Sequence, residues 1–301
     1  MSVQAEPLEP IDHRLVEWDR VVRAGYLIRQ TYRYDYPGPI GPLDHRLVIL
    51  PPERFGDQRR VLHRLISAPE GEQQAAPDEF GNTVLELRVP RVERSIEFQA
   101  WIEVERELVA GPHLVPAAWL HDPRLLQPSE LTEPDEQLAA VAWTLAEPGQ
   151  TGLELAQRIN AWLFSTMRYE AGVTGVGTTA GQALSIGRGV CQDYAHVMIS
   201  ICRLLGIPAR YVSGHLLGEG GTHAWVEVLV PGPEGSGMAA AWAFDPTHGD
   251  MATIAYVTVA VGRDYRDVAP TSGTYTRGPS GRLSSSKRVE ITRLEYDDES
   301  A

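Results

Sequence analysis

Apolar and polar positions alternate through most of the first 110 residues. Between Ser95 and Glu107, Ile96, Phe98, Ala100, Ile102 and Val104 fall on one side, and Glu97, Gln99, Trp101, Glu103 and Glu105 on the other. That period of two is the mark of a half-buried strand. The same pattern predicts strands over 43–50, 61–67 and 84–90. A longer one is expected over 21–36, where Tyr, Ile and Val run up to the turn Pro37-Gly38-Pro39. Gly81-Asn82 and the acidic, proline-containing run 68–79 supply turns. Short strands with no helical period between them predict an antiparallel β-sandwich over residues 1–110.

Prolines punctuate residues 111–134, as in a linker lying on a surface. After it the period changes. Residues 135–146 are alanine-rich and favour a helix, and Thr151-Gly152-Leu153-Glu154 has the spacing of a capping box, with Leu155, Ile159, Trp162 and Leu163 forming the stripe behind it. A second box, Thr179-Ala180-Gly181-Gln182, opens a short helix. Beyond Gly187-Arg188-Gly189, the residues Tyr194, Met198, Ile201 and Leu205 mark one face of a third, which Gly206 and Pro208 stop. Strands follow over 209–217, 222–230 and 239–244, and two more over 254–261 and 282–294. Residues 135–301 therefore read as an α+β unit in which helices pack on an antiparallel sheet, with the C-terminal strands included.

The 301 residues are 43% hydrophobic, enough for two well-packed cores. A net charge of −13 repels phosphate backbones and anionic lipids, so neither nucleic acid nor a membrane surface is expected as a partner. The first residues lack a basic stretch followed by an apolar run, and no later stretch approaches the roughly 18 apolar residues of a membrane helix. The two cysteines, Cys191 and Cys202, lie on one helix about three turns apart, too far to bridge. Free thiols suit a reducing compartment, and a cytoplasmic location is the expectation.

Cys191 stands where a glycine-rich turn becomes a helix, near unpaired backbone N–H groups and the positive end of the helix dipole, surroundings that favour a thiolate. On the strand from Thr222 to Val228, the side chains of His223, Trp225 and Glu227 share a face. Asp245 ends the next strand, where Pro246 forces it out of the ladder. A thiol nucleophile needs a base, and that imidazole needs a third group to fix its tautomer. Cys191, His223 and Asp245 supply the set in that order. Each has an ordinary alternative: a buried small hydrophobe, a structural histidine, a turn-forming Asp before Pro.

The blocks GRGVCQDYAH, THAWVEV and WAFDP resemble the three active-site blocks of the transglutaminase-like superfamily, a papain-related fold. Asp78-Glu79-Phe80-Gly81-Asn82 resembles the N-terminal region of its bacterial members, and residues 262–270 (GRDYRDVAP) their C-terminal block. The resemblance implies Cys191 as nucleophile, His223 as general base and then acid, Asp245 as the group orienting the imidazole, and a peptide or protein amide as substrate. No cofactor is implied.

An acyl-enzyme oxyanion would be held by the Cys191 N–H and one further donor, for which Gln192 and Tyr169 are candidates. Trp225 reads as packing or as a shield of the site, and Asp193 as a complement to the helix dipole. The run 175–180 looks like half a dinucleotide fingerprint, but no apolar strand precedes it, so it reads as a loop. His196, His215 and His248 lie near the three blocks without metal-ligand spacing, and no metal is expected. The competing classes are a catalytically silent binding or scaffolding protein of the same fold and an acetyl-CoA-dependent N-acyltransferase. The latter lacks a basic site for the phosphates. Oligomeric state is not legible.

Overall fold

The computed structural model describes residues 11–109, 111–218 and 221–297. Residues 1–10, Ala110, Glu219, Gly220 and 298–301 lie outside them. The fold is α+β, with three antiparallel sheets.

Two sheets form the sandwich. One has the order Arg282–Tyr296, Val21–Asp35, Ser95–Glu107, Gln58–Ala68, Arg54–Phe55; the other runs Thr271–Tyr275, Leu43–Leu50, Thr83–Val89, Glu72–Pro77. The alternation along Ser95–Glu107 has its predicted effect, because Ile96, Phe98, Ala100, Ile102 and Val104 are buried while Glu103 points to solvent. The stretch read as a turn at 68–79 contains the strand Glu72–Pro77, whose residues are all exposed. Its pairing to Thr83–Val89 is carried by backbone alone, so no apolar pattern announces it.

Of the two C-terminal strands that the sequence pattern attaches to the 135–301 core, 254–261 joins it as Tyr256–Gly262, whereas 282–294 pairs with the sandwich instead, as does the short strand Thr271–Tyr275, which the pattern does not announce. Arg282–Tyr296 runs antiparallel to Val21–Asp35 along nearly its whole length, and Thr271–Tyr275 lies beside Leu43–Leu47. Periodicity identifies a strand but not its partner, and these partners are more than 200 residues away.

The third sheet carries Asp250–Met251, Met238–Asp245, His223–Pro231, Ala209–Leu216 and Tyr256–Gly262, with His113–Pro116 also paired to Met238–Asp245. Residues 111–134 are thus woven into the core rather than laid over it. Leu125 and Leu131 are buried, and Arg203, at the end of the cysteine helix, donates to the Leu125 carbonyl at 3.2 Å and to Thr132 Oγ1 at 2.9 Å. Helices Glu136–Leu145, Gly152–Thr166 and Ala180–Ile186 pack around the cysteine helix, Cys191–Leu204. Both predicted capping boxes form, Thr151 with Glu154 and Thr179 with Gln182.

The third sheet is covered on both faces. Ala224, Val226 and Val228 join the helices in one apolar cluster, while Val212, Trp225, Val257 and Val261 join the sandwich interior in another. Trp225 thus faces the sandwich. Glu227, buried there, pairs with the equally buried Arg210 at 2.6 Å.

Candidate active site

Gly187, in the left-handed conformation, ends the helix Ala180–Ile186, and Arg188–Gly189 then pairs in parallel with Arg168–Tyr169. Cys191 is the first residue of the next helix and is partly exposed. The turn before it is held by Asp193, whose carboxylate accepts from the Val190 N–H at 2.7 Å and from the Thr174 hydroxyl at 2.6 Å. A Cβ on Gly189 would run into that carboxylate, so the glycine is required by the packing of the turn. Burial raises the Asp193 pKa against these bonds. Asp193 is therefore a structural anchor of the cysteine turn, a role more specific than complementing the dipole.

Tyr169 is exposed and lies opposite Gly189 in the parallel pair, two residues before the thiol. The Gln192 amide donates to the Val176 carbonyl at 3.3 Å, which ties the glycine-rich loop 175–180 to the start of the helix. Tyr211, on the neighbouring strand, has its phenol pushed well up, chiefly by burial and next by the charge of Cys191 when ionised. The second cysteine is inert by comparison: Cys202 is fully buried and its thiol is pushed up to about 12.

His223 opens its strand and Asp245 closes the next. The register Val226 to Phe244 sets residues 225 and 245 opposite one another and brings the two side chains together. His223 Nε2 lies 2.6 Å from Asp245 Oδ2 in a site where both side chains are 0% exposed. A carboxylate only accepts, so Nε2 carries the proton and Nδ1 is the other, basic nitrogen. The same oxygen accepts from His248 Nδ1 and from the Tyr256 hydroxyl, each at 2.8 Å, and Oδ1 accepts the Thr247 N–H at 2.9 Å. Burial by itself would raise the Asp245 pKa, but the bonds from His223, His248 and Tyr256 outweigh it and hold the carboxyl far below its ordinary range.

Trp225 is buried beside the imidazole, with ring centroids 6.2 Å apart, and packs edge-on against Tyr256 at 5.3 Å. Its indole crosses Gly214 on the adjacent strand, where a Cβ would meet the ring. His215 Nδ1 is 3.2 Å from the Gly221 carbonyl and braces the chain just before His223. His196 is buried within the cysteine helix, where its Nε2 accepts the Tyr265 N–H at 3.2 Å.

His223 and Asp245 are thus joined directly, while Cys191 stands at the end of a helix that packs on the His223 strand. His248 and Tyr256 complete the carboxylate cage, and sequence patterning does not flag them for that role. The turn Asp245-Pro246-Thr247-His248 carries a signal in hindsight, since it folds its fourth residue back over its first. His223, Asp245 and His248 also present ligand-type atoms within 4.8 Å of one another, a grouping invisible in linear spacing. Their 2.6 and 2.8 Å contacts are hydrogen-bond lengths with a proton in each, so a metal would have to displace both protons.

Residues 139–237 match the transglutaminase-like superfamily and residues 26–105 the bacterial transglutaminase-like N-terminal region. The first match spans Cys191 and His223 and stops short of Asp245. An uncharacterized protein of Mycobacterium leprae is 32% identical over 87% of this chain and 96% of its own length, and one of Mycobacterium tuberculosis is 27% identical over 82% and 86%. The crystal structure of a candidate cysteine protease from Cytophaga hutchinsonii superposes with a TM-score of 0.72 at 22% identity, covering 91% of this chain and 92% of that one, and so shares the fold. With its core, its N-terminal region and a near full-length relative all agreeing, the chain belongs to the transglutaminase-like superfamily.

Proposed function

We propose that the protein is a thiol-dependent acyl-transfer enzyme acting on peptide or side-chain amides, with Cys191 as nucleophile, His223 as base and then acid, and Asp245 as the group that orients His223. The observation that carries this reading is the buried 2.6 Å contact between His223 and Asp245, made with the carboxylate strongly held in its ionised form. A buried carboxylate caged in this way fixes the imidazole tautomer and stabilises the imidazolium. The helix packed against the same strand starts with a partly exposed thiol.

In the first half-reaction Cys191 Sγ attacks the amide carbon and its proton passes to His223 Nδ1. The C–N bond then breaks, the amine leaves with that proton, and a thioester is left on Cys191. Water or an amine takes the acyl group in the second half. Two free thiols are consistent with action in a reducing compartment such as the cytoplasm. Among the described residues no helix is long and apolar enough to cross a membrane.

The test is to trap the acyl group. Protein incubated with an activated acyl ester and quenched in acid should carry the acyl mass on the peptide containing Cys191, and His223→Ala should lose the adduct. Turnover should fall by on the order of 10⁴-fold in Asp245→Asn. Adduct on Cys202 alone, or equal labelling with His223 removed, would refute the assignment.

A further inference from the structure

Of the 27 lysines and arginines in the chain, one is a lysine, Lys287. It stands on the last strand opposite the buried Gln30, and so on the inner side of the sandwich sheet. From there its stem crosses Tyr32, with Nζ 5.3 Å from the ring centroid, and Nζ donates to Thr222 Oγ1 at 3.4 Å. Thr222 is exposed, and it is the residue before His223. An ammonium has three donors, and Thr222 takes one of them. Among the described residues no carboxylate pairs with Nζ, and burial without a counter-charge lowers the amine to about 8. In a chain with 40 acidic residues and a net charge of −13, this cation stands without an anion.

We infer that Lys287 determines specificity: with Thr222 it binds a carboxylate of the amide substrate, a short way along the chain from the reacting bond. The inference rests on Cys191 and His223 carrying the acyl transfer proposed above. Thr222 and His223 are consecutive, so one threonine side chain and one Cα step place Nζ within about 10 Å of the His223 Cα. A peptide advances at most ~3.5 Å per residue, which puts the recognised carboxylate within roughly four residues of the amide that His223 attends. The carboxylate accepts from Nζ and from the Thr222 hydroxyl, and it supplies the negative charge that the ammonium lacks. Packing of the lysine stem on Tyr32 fixes Nζ before the substrate arrives, so little side-chain freedom is lost on binding. A carboxamide of the same shape brings no charge and is the poorer ligand.

The test uses fluorogenic peptides in pairs, with Glu or Gln at each of the four positions on either side of the cleaved amide. At its best position Glu should exceed Gln in kcat/KM on the order of 10-fold or more, the worth of a charge-assisted hydrogen bond, with the difference in KM. Lys287→Gln should bring that ratio close to one, and Lys287→Arg, which keeps the charge, should retain most of it. A ratio that Lys287→Gln leaves as in wild type overturns the inference. So does an equal loss on both peptides, which would show a role confined to holding Thr222. A second measurement does not depend on catalysis. In Cys191→Ala protein, trinitrobenzenesulfonate labels the Lys287 amine, read by mass on its own peptide, and the Glu peptides should slow that labelling while their Gln counterparts do not. Equal protection within every pair overturns the inference. Protection by Glu alone in a protein that turns over neither peptide would instead refute the acyl-transfer reading and leave the carboxylate site standing.

Discussion

At the scale of single residues, the site is a carboxylate held by more donors than orientation of one imidazole requires. Asp245 takes hydrogen bonds from His223, His248, Tyr256 and the Thr247 backbone. Removing one donor should weaken the cage without dismantling it. Tyr256→Phe should lower turnover about tenfold, equivalent to ~1.4 kcal/mol at the transition state, with little change in thermal midpoint; unchanged turnover would mean that the phenol only packs. Cys191, His223 and Asp245 can be picked out as candidates from sequence because the chemistry proposed for them depends on residue type and on local position, at a helix start, at a strand start and before a proline. Tyr256 is not, because it is an ordinary strand residue until the sheet register delivers its hydroxyl to the carboxylate.

At the scale of elements, the sandwich supports the strand that bears Tyr256. Tyr256–Gly262 lies at the edge of the third sheet and would have unpaired backbone groups along its outer side. Two side-chain amides from the sandwich take the place of a neighbouring strand. Gln58 donates to the Thr258 carbonyl and accepts its N–H, both at 2.8 Å, and Asn82 does the same for Val261 at 2.7 and 2.8 Å. The Tyr26 hydroxyl adds a bond of 2.6 Å to the Ile254 carbonyl just upstream. Asn82→Ala leaves the Val261 N–H and carbonyl without these partners, at a cost of roughly 1–3 kcal/mol for each group left unsatisfied. Urea denaturation should show that loss, and hydrogen exchange should show the faster opening of 256–262. Stability within experimental error of wild type would contradict the bracing role. The Gly81-Asn82 turn is legible in sequence, but a turn residue whose amide substitutes for a β-strand neighbour 179 positions away is not.

At the scale of the whole molecule, the last strand returns to the first, so the helical core is inserted between segments of one sandwich. The longer strands are readable from alternation, whereas Glu72–Pro77, His113–Pro116 and Thr271–Tyr275 are not. Closure is not readable either, because it depends on which distant edges meet. Three imidazoles buried in different parts of the molecule give the whole a common acid sensitivity. Burial lowers His45, His196 and His215 each to about 4. Their unfolded value is about 6.5, so the unfolded chain takes up protons that the folded protein refuses. Their contribution to stability is complete above about pH 6.5 and is lost as pH falls toward 4. Urea midpoints should hold between pH 7 and 8 and drop steeply between 6.5 and 4.5, and His215→Gln should show a shallower drop. A flat profile through that range would contradict the burial of neutral rings.

The central claim is that His223, fixed by Asp245, makes Cys191 a nucleophile, and the rate of thiol alkylation as a function of pH tests it most directly. Iodoacetamide should modify Cys191 at neutral pH at least 10²-fold faster than Cys202, given that thiolate rather than thiol reacts and that Cys202 is buried with its thiol pushed up to about 12. His223→Ala should abolish most of that advantage at pH 7. Equal rates at the two cysteines, or a Cys191 profile indifferent to His223, would contradict the account.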